Sequence, residues 1–515
     1  MYTSAADIEA YLKENRDKPF ILCEYAHAMG NSFGAVHKYT QLAYREPLYQ
    51  GGFIWDFADQ AIEMTDRHGK TFFGYGGDNG ESPHDGDFCG NGILYADHTP
   101  KPFVQEVKYL YQPFEIEVGE HLVTVHNRTN FTSTDEFRCE AELAREGEVF
   151  DIVPLELTIG PGKSGSVDMP FEIPEDGEYT VTVSFSLLEA EPWAPAGYEV
   201  AWGQGVFGSR PVAAKDPEAQ PAFELVEGIH NLGVYGEHFS VLFSRLYGGM
   251  QSYRYGMDRN GGRELLKAIP MPNFWHAPNS NERGWGAPAE DGQWLLASKY
   301  AVPRRGPDQP AYALDGDTAT FSFTYDLPTN PPSLAEVTYR VHGDGTVDVT
   351  TEVTPGEGLN DMSEFGVMLI TQPEFDTLTW YGNGPEESYV DKRHGAKLDV
   401  YTADIEDQLA PYLRPQESGS HTGVRWAVVT DRSGRGLRFE HEGEMEFSAL
   451  PWTPFEVENA THHPELPPIS KTVVRPALAR RGVGGDDTWG ARTHPEYLLP
   501  AGEKLTFTFS FRGIM

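Results

Sequence analysis

Only three cysteines occur in 515 residues, Cys23, Cys89 and Cys139, an odd number with no Cys-x-x-Cys spacing. That excludes a disulfide framework and a thiolate zinc site, and a reduced, cytoplasmic setting is the simplest expectation. Basic residues are also scarce: 40 Lys and Arg stand against 78 Asp and Glu, a formal net charge of −38. Such a charge repels phosphate backbones and anionic lipid, so neither nucleic acid nor a membrane surface is expected as a partner. No apolar run approaches the roughly 18 residues of a membrane-spanning helix. Met1-Tyr2-Thr3-Ser4 shows neither a basic nor an apolar signal region, so no export is expected, and Asn127-Arg128-Thr129 carries no glycosylation meaning. Fixed-period repeats and low-complexity tracts are absent as well.

What is present is enough apolar material, 39% of residues with 12% aromatic, to build packed cores. A chain of this length divides into about three domains. The stretch that organises the first of them is Phe20-Ile21-Leu22-Cys23-Glu24-Tyr25-Ala26-His27-Ala28-Met29-Gly30-Asn31-Ser32. Its unbroken apolar run predicts a buried parallel strand from Phe20 to Cys23. Glu24 then stands at the strand's C-terminal end, where α/β barrels hold catalytic groups; a strand cap or an arginine partner is the equally weighted alternative.

Ser4 is placed to cap a short helix carrying Ile8, Tyr11 and Leu12. A second helix is predicted from Asn31 to about Tyr44, with Asn31 as its cap or else as a group that orients the Glu24 loop, and a second buried strand from Gly51 to Trp55. A long loop from Ala61 to Thr99 follows, of a length that usually carries function, then a helix from Phe103 to Tyr111. Helix, strand, helix, strand is a piece of a (β/α) barrel, and two strands do not close one.

From about Glu115 the apolar period becomes two, as in Phe137, Cys139, Ala141 and Leu143 and in Tyr179, Val181, Val183, Phe185 and Leu187. That pattern predicts a small antiparallel sandwich. Gly162-Lys163-Ser164 lacks the leading glycine and the following helix of a phosphate loop and reads as a hairpin turn. Residues 211–220 read as a Pro/Ala/charged linker, and 223–515 as strand-rich with many Gly and Pro turns.

Ile21 to Ser32, Gly51-Gly52-Phe53-Ile54-Trp55-Asp56 and Asp59-Gln60 resemble the large bacterial β-galactosidases of glycoside hydrolase family two. The resemblance continues through Phe274-Trp275-His276-Ala277-Pro278-Asn279, Trp380-Tyr381-Gly382-Asn383-Gly384-Pro385, Arg414-Pro415-Gln416-Glu417 and Gly484-Gly485-Asp486-Asp487-Thr488-Trp489-Gly490. It implies a C-terminal fragment of a (β/α)8 barrel over 1–114, holding its seventh and eighth strands. An immunoglobulin-like β-sandwich over 115–220 and a large antiparallel β super-sandwich over 221–515 would follow.

It also implies roles. Glu24 would be the nucleophile of a retaining β-galactosidase, and His27 a ligand of sugar hydroxyls in the transition state. Trp55 would be the floor under galactose, and Trp489 the aromatic wall of the outer subsite. Asn91 would contact substrate and, with the Phe88 carbonyl, hold Na+. The acid/base glutamate and the Mg2+ ligands lie, in the family, on segments this chain does not contain. The implied partners are therefore a β-galactoside, an N-terminal half or complementing subunit, and further copies of itself in the complete enzyme. Asn281-Glu282 imitates an acid/base pair but follows no apolar strand and is expected to be a loop pair. A non-catalytic carbohydrate-binding or interaction subunit built on the β domains is the alternative.

Overall fold

The computed structural model describes residues 1–210, 222–256, 262–306 and 309–515; the expected linker at 211–220 lies outside them. Helix α1 (Ala5–Glu14) starts where Ser4 Oγ accepts the Asp7 N–H at 3.2 Å, and it buries Ile8 and Leu12 while Tyr11 faces out. Strand β1 (Phe20–Tyr25) leads through helix α2 (His37–Arg45) to strand β2 (Tyr49–Ile54). The two strands pair in parallel, Phe20 beside Tyr49 and Tyr25 beside Ile54.

Two expectations about this segment fail. Helix α2 begins six residues later than predicted, because Phe33 and Ala35 adopt positive φ, 75° and 61°, which a right-handed helix cannot contain. Asn31 therefore caps nothing. Its Nδ2 donates to the Glu417 carbonyl at 2.8 Å and its Oδ1 accepts from Lys392 Nζ at 2.7 Å, both in the C-terminal β region. Nor is β1 buried on both faces. Leu22 and Tyr25 are inside, but Ile21 is 57% exposed, Cys23 is exposed and Phe53 of β2 is 68% exposed. A parallel sheet is covered on both sides only when neighbouring strands and helices complete it, and among the described residues these two strands form a sheet of their own.

The 61–99 segment is partly ordered into a hairpin of β3 (Ile62–Thr65) and β4 (Thr71–Gly74) and a 3-10 turn at Gly86–Cys89. Buried Lys101 ties its end down, donating to Asp59 Oδ1 at 2.8 Å and to the Gly90 carbonyl at 3.1 Å. Helix α3 (Val104–Leu110) follows.

The chain divides into two compact units. One comprises Gln105–Lys215 with His394–Val400. It holds strands β5 (Phe114–Val118), β6 (Leu122–Asn127), β7 (Phe137–Arg145), β8 (Glu148–Pro154), β9 (Ser164–Asp168), β10 (Glu178–Leu187) and β11 (Glu199–Gly208). They form two antiparallel sheets, β5-β6-β9 and β11-β10-β7-β8. Phe114 and Val125 of one meet Ala141, Val181 and Phe185 of the other in one core, as the period-two pattern requires. Gly162, at φ 64°, turns the chain into β9 rather than into a helix, so no phosphate loop exists there.

The other unit joins Met1–Val104 to Asp216–Arg393 and Tyr401–Met515. Its β part is a sheet of thirteen strands among the described residues, packed with a five-stranded one. Alternating residues of Thr318–Leu327 and Ser333–His342 point into a core rich in Phe243, Phe321, Tyr339, Phe439 and Phe509. No helix among the described residues is long and apolar enough to cross a membrane.

An ion-pair network is buried in this sheet. Glu364 Oε2 accepts from Arg475 Nη1 and Arg480 Nε, each at 2.8 Å, and Arg475 Nη2 reaches both oxygens of Glu417 at 2.8 and 2.9 Å. His276, Glu364 and Glu417 cluster tightly enough to hold a metal, but the two guanidinium groups already satisfy the carboxylates and would repel a cation. Beside this network burial pushes the Glu446 carboxyl up to about 7, despite the opposing pull of Arg480.

A carboxyl with a raised folded pKa keeps its proton longer in the folded state than in the unfolded one. Stability is therefore lost as pH rises from the ordinary carboxylate range through 7. Each pKa unit is worth about 1.4 kcal/mol, which puts the loss at about 3 kcal/mol. Glu446→Gln should remove it: urea midpoints of the variant and the parent should diverge between pH 5 and 8.5, the variant becoming relatively more stable. Parallel pH profiles would count against a protonated Glu446.

Candidate active site

The parallel pairing of β1 and β2 brings their C-terminal ends to one edge. Trp55 N–H donates to the Tyr25 carbonyl at 3.1 Å and Ala28 N–H to the Trp55 carbonyl at 2.9 Å, fastening the two strand exits together. Asp56 N–H donates to the Asn91 carbonyl at 2.6 Å, which draws the Phe88–Asn91 segment to the same edge. Glu24 is half-buried there.

Beside Glu24 stands an aromatic cluster drawn from distant parts of the sequence. The His27 ring lies 5.2 Å from Phe88 and 5.2 Å, edge-on, from Trp489. Phe88 and Trp489 are 6.0 Å apart. Tyr2 closes the group, 4.8 Å from Trp489 and 5.9 Å from His27, with its hydroxyl hydrogen-bonded to the Glu24 carboxylate and its N–H donating to the Glu24 carbonyl at 3.1 Å. Burial first, then that carboxylate, pushes the Tyr2 hydroxyl well above the usual phenol range, so it stays a donor. No motif surrounds Tyr2, and nothing in the sequence alone singles it out.

His27 is 1% exposed, and burial lowers its imidazole to about 4; Asp487 pulls the other way and Lys101 adds to the fall. It is thus neutral at pH 7. Its Nδ1 lies 2.7 Å from Thr488 Oγ1. Of the residues singled out from sequence, His27, Phe88 and Trp489 meet directly, and Glu24 joins them through Tyr2. Asn91 joins through its backbone, and Trp55 through the strand ends. The indoles of Trp55 and Trp489 remain 40% and 48% exposed, open surfaces on which a flat apolar face could stack.

The oxygen atoms beside Asn91 suit a hard cation. Gln60 Nε2 bridges Asn91 Oδ1 (3.1 Å) and Asp56 Oδ2 (2.8 Å), while Asp56 Oδ1 is buried with no partner among the described residues. An orphaned carboxylate oxygen beside an amide oxygen is costly without a counter-ion.

Asn281-Glu282 is not a loop pair. It belongs to helix α4 (Ser280–Trp285), with Asn279 as cap. The buried Glu282 carboxylate accepts from His276 Nε2 at 2.9 Å, Arg481 Nη2 at 2.6 Å and the Asn279 N–H at 2.9 Å. Burial alone would raise its pKa, but His276 and Arg481 hold it well below the ordinary range, so it has no proton to donate at neutral pH.

A carboxylate at a parallel strand's C-terminal end is where α/β barrels hold their reacting groups. Residues 1–116 match the family "Glycosyl hydrolases family 2, TIM barrel domain", 123–207 match "Beta-galactosidase, domain 4", and 235–512 match "Beta galactosidase small chain". Over its whole length the chain is 38% identical to a β-galactosidase of Halalkalibacterium halodurans and 36% identical to one of Priestia megaterium. Over 99% of its length it is 36% identical to one of Streptococcus thermophilus. It covers 50%, 49% and 51% of those proteins, so the chain spans about half the length of the curated relatives it matches. The chain belongs to the β-galactosidases of glycosyl hydrolase family 2.

Proposed function

We propose that these residues form the C-terminal portion of a retaining β-galactosidase, with Glu24 as the nucleophile. The observation that carries this reading is the Glu24 carboxylate at the strand end, meeting Tyr2 of the aromatic cluster that Tyr2 forms with His27, Phe88 and Trp489. Glu24 attacks the anomeric carbon of a terminal β-galactoside and forms a galactosyl ester. A second carboxyl about 5 Å away protonates the leaving oxygen and then deprotonates the water that opens the ester. That acid/base group comes from a barrel strand outside this chain. Trp55 stacks under galactose and Trp489 borders the outer subsite.

The Phe88 carbonyl and Asn91, with Asp56 beside them, would hold Na+, which would supply a point of attachment for a sugar hydroxyl oxygen when bound. Mg2+ belongs to ligands outside the chain. Residues 115–220 serve as an immunoglobulin-like sandwich and 221–515 as the super-sandwich that sends Thr488 and Trp489 to the site. The complete enzyme is a cytoplasmic homo-oligomer in which an N-terminal half or complementing subunit closes the barrel.

The test is a 2-deoxy-2-fluorogalactosyl inactivator applied to this chain combined with a polypeptide supplying the rest of the barrel. One fluorogalactosyl group should be added, and peptide mapping should place it on Glu24. A label on another carboxylate overturns the assignment, and reversible sugar binding without any label favours a carbohydrate-binding subunit.

A further inference from the structure

The hydrogen bonds behind His27 run in one direction. Ser32 Oγ donates to the His27 carbonyl at 2.8 Å, which uses its only proton, so it can only accept from Asn281 Nδ2 at 3.2 Å. The same Nδ2 donates to the Val483 carbonyl at 2.9 Å. Two fixed acceptors thus set the Asn281 amide, and its Oδ1 must face Thr488. Thr488 Oγ1 donates there at 2.9 Å. With its proton spent, the Thr488 hydroxyl offers only lone pairs to His27 Nδ1, 2.7 Å away. All four side chains are buried, at 5% exposure or less, so water does not compete for these bonds.

We infer that Thr488 and Asn281 are positioning residues that fix the ring proton of His27 on Nδ1, leaving Nε2 as the atom offered to the sugar site, a hydrogen-bond acceptor that selects a substrate hydroxyl able to donate. The chain of bonds closes on itself, from the His27 ring through Thr488, Asn281 and Ser32 to the His27 carbonyl. Ring orientation and tautomer are therefore set together. Nε2 has no hydrogen-bond partner among the described residues, and the ring that carries it packs against Tyr2, Phe88 and Trp489. An acceptor there rewards a free hydroxyl and penalises its replacement by fluorine or an ether, neither of which carries a proton. The substrate half of this inference rests on the galactosidase reading; the tautomer half does not.

The tautomer is read by 15N NMR of the 515-residue chain, labelled at its 17 histidines and recorded at pH 8. The resonances missing from His27→Gln assign the ring. The parent should show a protonated Nδ1 and an unprotonated Nε2. Thr488→Val, which keeps the shape and removes the hydroxyl, should move the proton to Nε2, and Thr488→Ser should restore the parent pattern. A parent with Nε2–H, or a Val variant with an unchanged tautomer, overturns the inference whatever the enzyme does.

With the barrel completed, kcat/KM is then compared for aryl galactosides fluorinated at the 3-, 4- and 6-hydroxyls in turn. At one position the preference for hydroxyl over fluorine should fall about tenfold in Thr488→Val and recover in Thr488→Ser, the size of one hydrogen bond to a buried acceptor. Equal preferences across all positions in parent and variant overturn the substrate half. Loss of the fluorogalactosyl label at Glu24 with the tautomer pattern intact would instead defeat the galactosidase reading alone.

Discussion

Glu24→Gln in the completed enzyme should lower kcat by at least about 10⁴-fold while leaving the affinity for a galactose-like inhibitor within a few-fold. Glutamine has the glutamate's shape, and its amide oxygen can still accept the Tyr2 hydroxyl that meets Glu24. The cluster of His27, Phe88 and Trp489 should therefore persist. What disappears is the anionic oxygen that forms the ester, and a nucleophile that creates its own intermediate is worth several orders of magnitude in rate. Glu24→Gly separates chemistry from architecture further. Azide can occupy the vacated space, attack from the same face and leave an α-galactosyl azide, with turnover rising in proportion to azide concentration. A Gln variant within about tenfold of the parent would remove Glu24 from the reaction, and a Gly variant unmoved by azide would point to a structural role.

The parts of this site differ in how far the sequence revealed them. The place of Glu24 at a strand end was legible because an unbroken apolar run leads into it, whereas its assigned role came only from the resemblance. The meeting of His27 with Thr488 was not, because it spans 461 positions and no local pattern encodes a contact at that range. The resemblance supplied Trp489 as a wall, but not the hydroxyl next to it. Asn31 illustrates the opposite error. Its residue type suits a helix cap, yet Phe33 and Ala35 delay the helix and leave Asn31 to bridge Lys392 and the Glu417 carbonyl. Asn281 was set aside with Glu282 as a loop pair, since the capping box that makes a short helix there is worth only a turn or so of structure. The alternating strands of the β regions were plain because one buried face forces period two. Tyr2 was invisible, since a lone tyrosine before a helix cap has no distinguishing neighbours.

A polypeptide of these 515 residues, assayed alone, should hydrolyse an aryl β-galactoside at least about 10³-fold more slowly than the same polypeptide mixed with the remaining strands of the barrel. On the proposed reading the proton donor comes with those remaining strands, and its absence accounts for about 10²–10⁴ by itself. Strand geometry adds to the deficit, because β1 and β2 form a two-stranded sheet whose apolar side chains Ile21 and Phe53 face outward, 57% and 68% exposed. Neighbouring strands and the barrel interior would cover them. Each large side chain so buried contributes about 1.5–3 kcal/mol, enough for the pair to dominate the association. Ile21→Asp with Phe53→Asp should therefore weaken reassembly by at least about 100-fold, measured as the concentration of the complementing polypeptide at half-maximal activity. Activity at saturation should fall far less, since neither side chain belongs to the cluster beside Glu24. Brisk turnover by the lone polypeptide would mean that its own carboxyl groups supply both halves of the chemistry. Reassembly indifferent to the double substitution would mean that the barrel closes by contacts other than this open face.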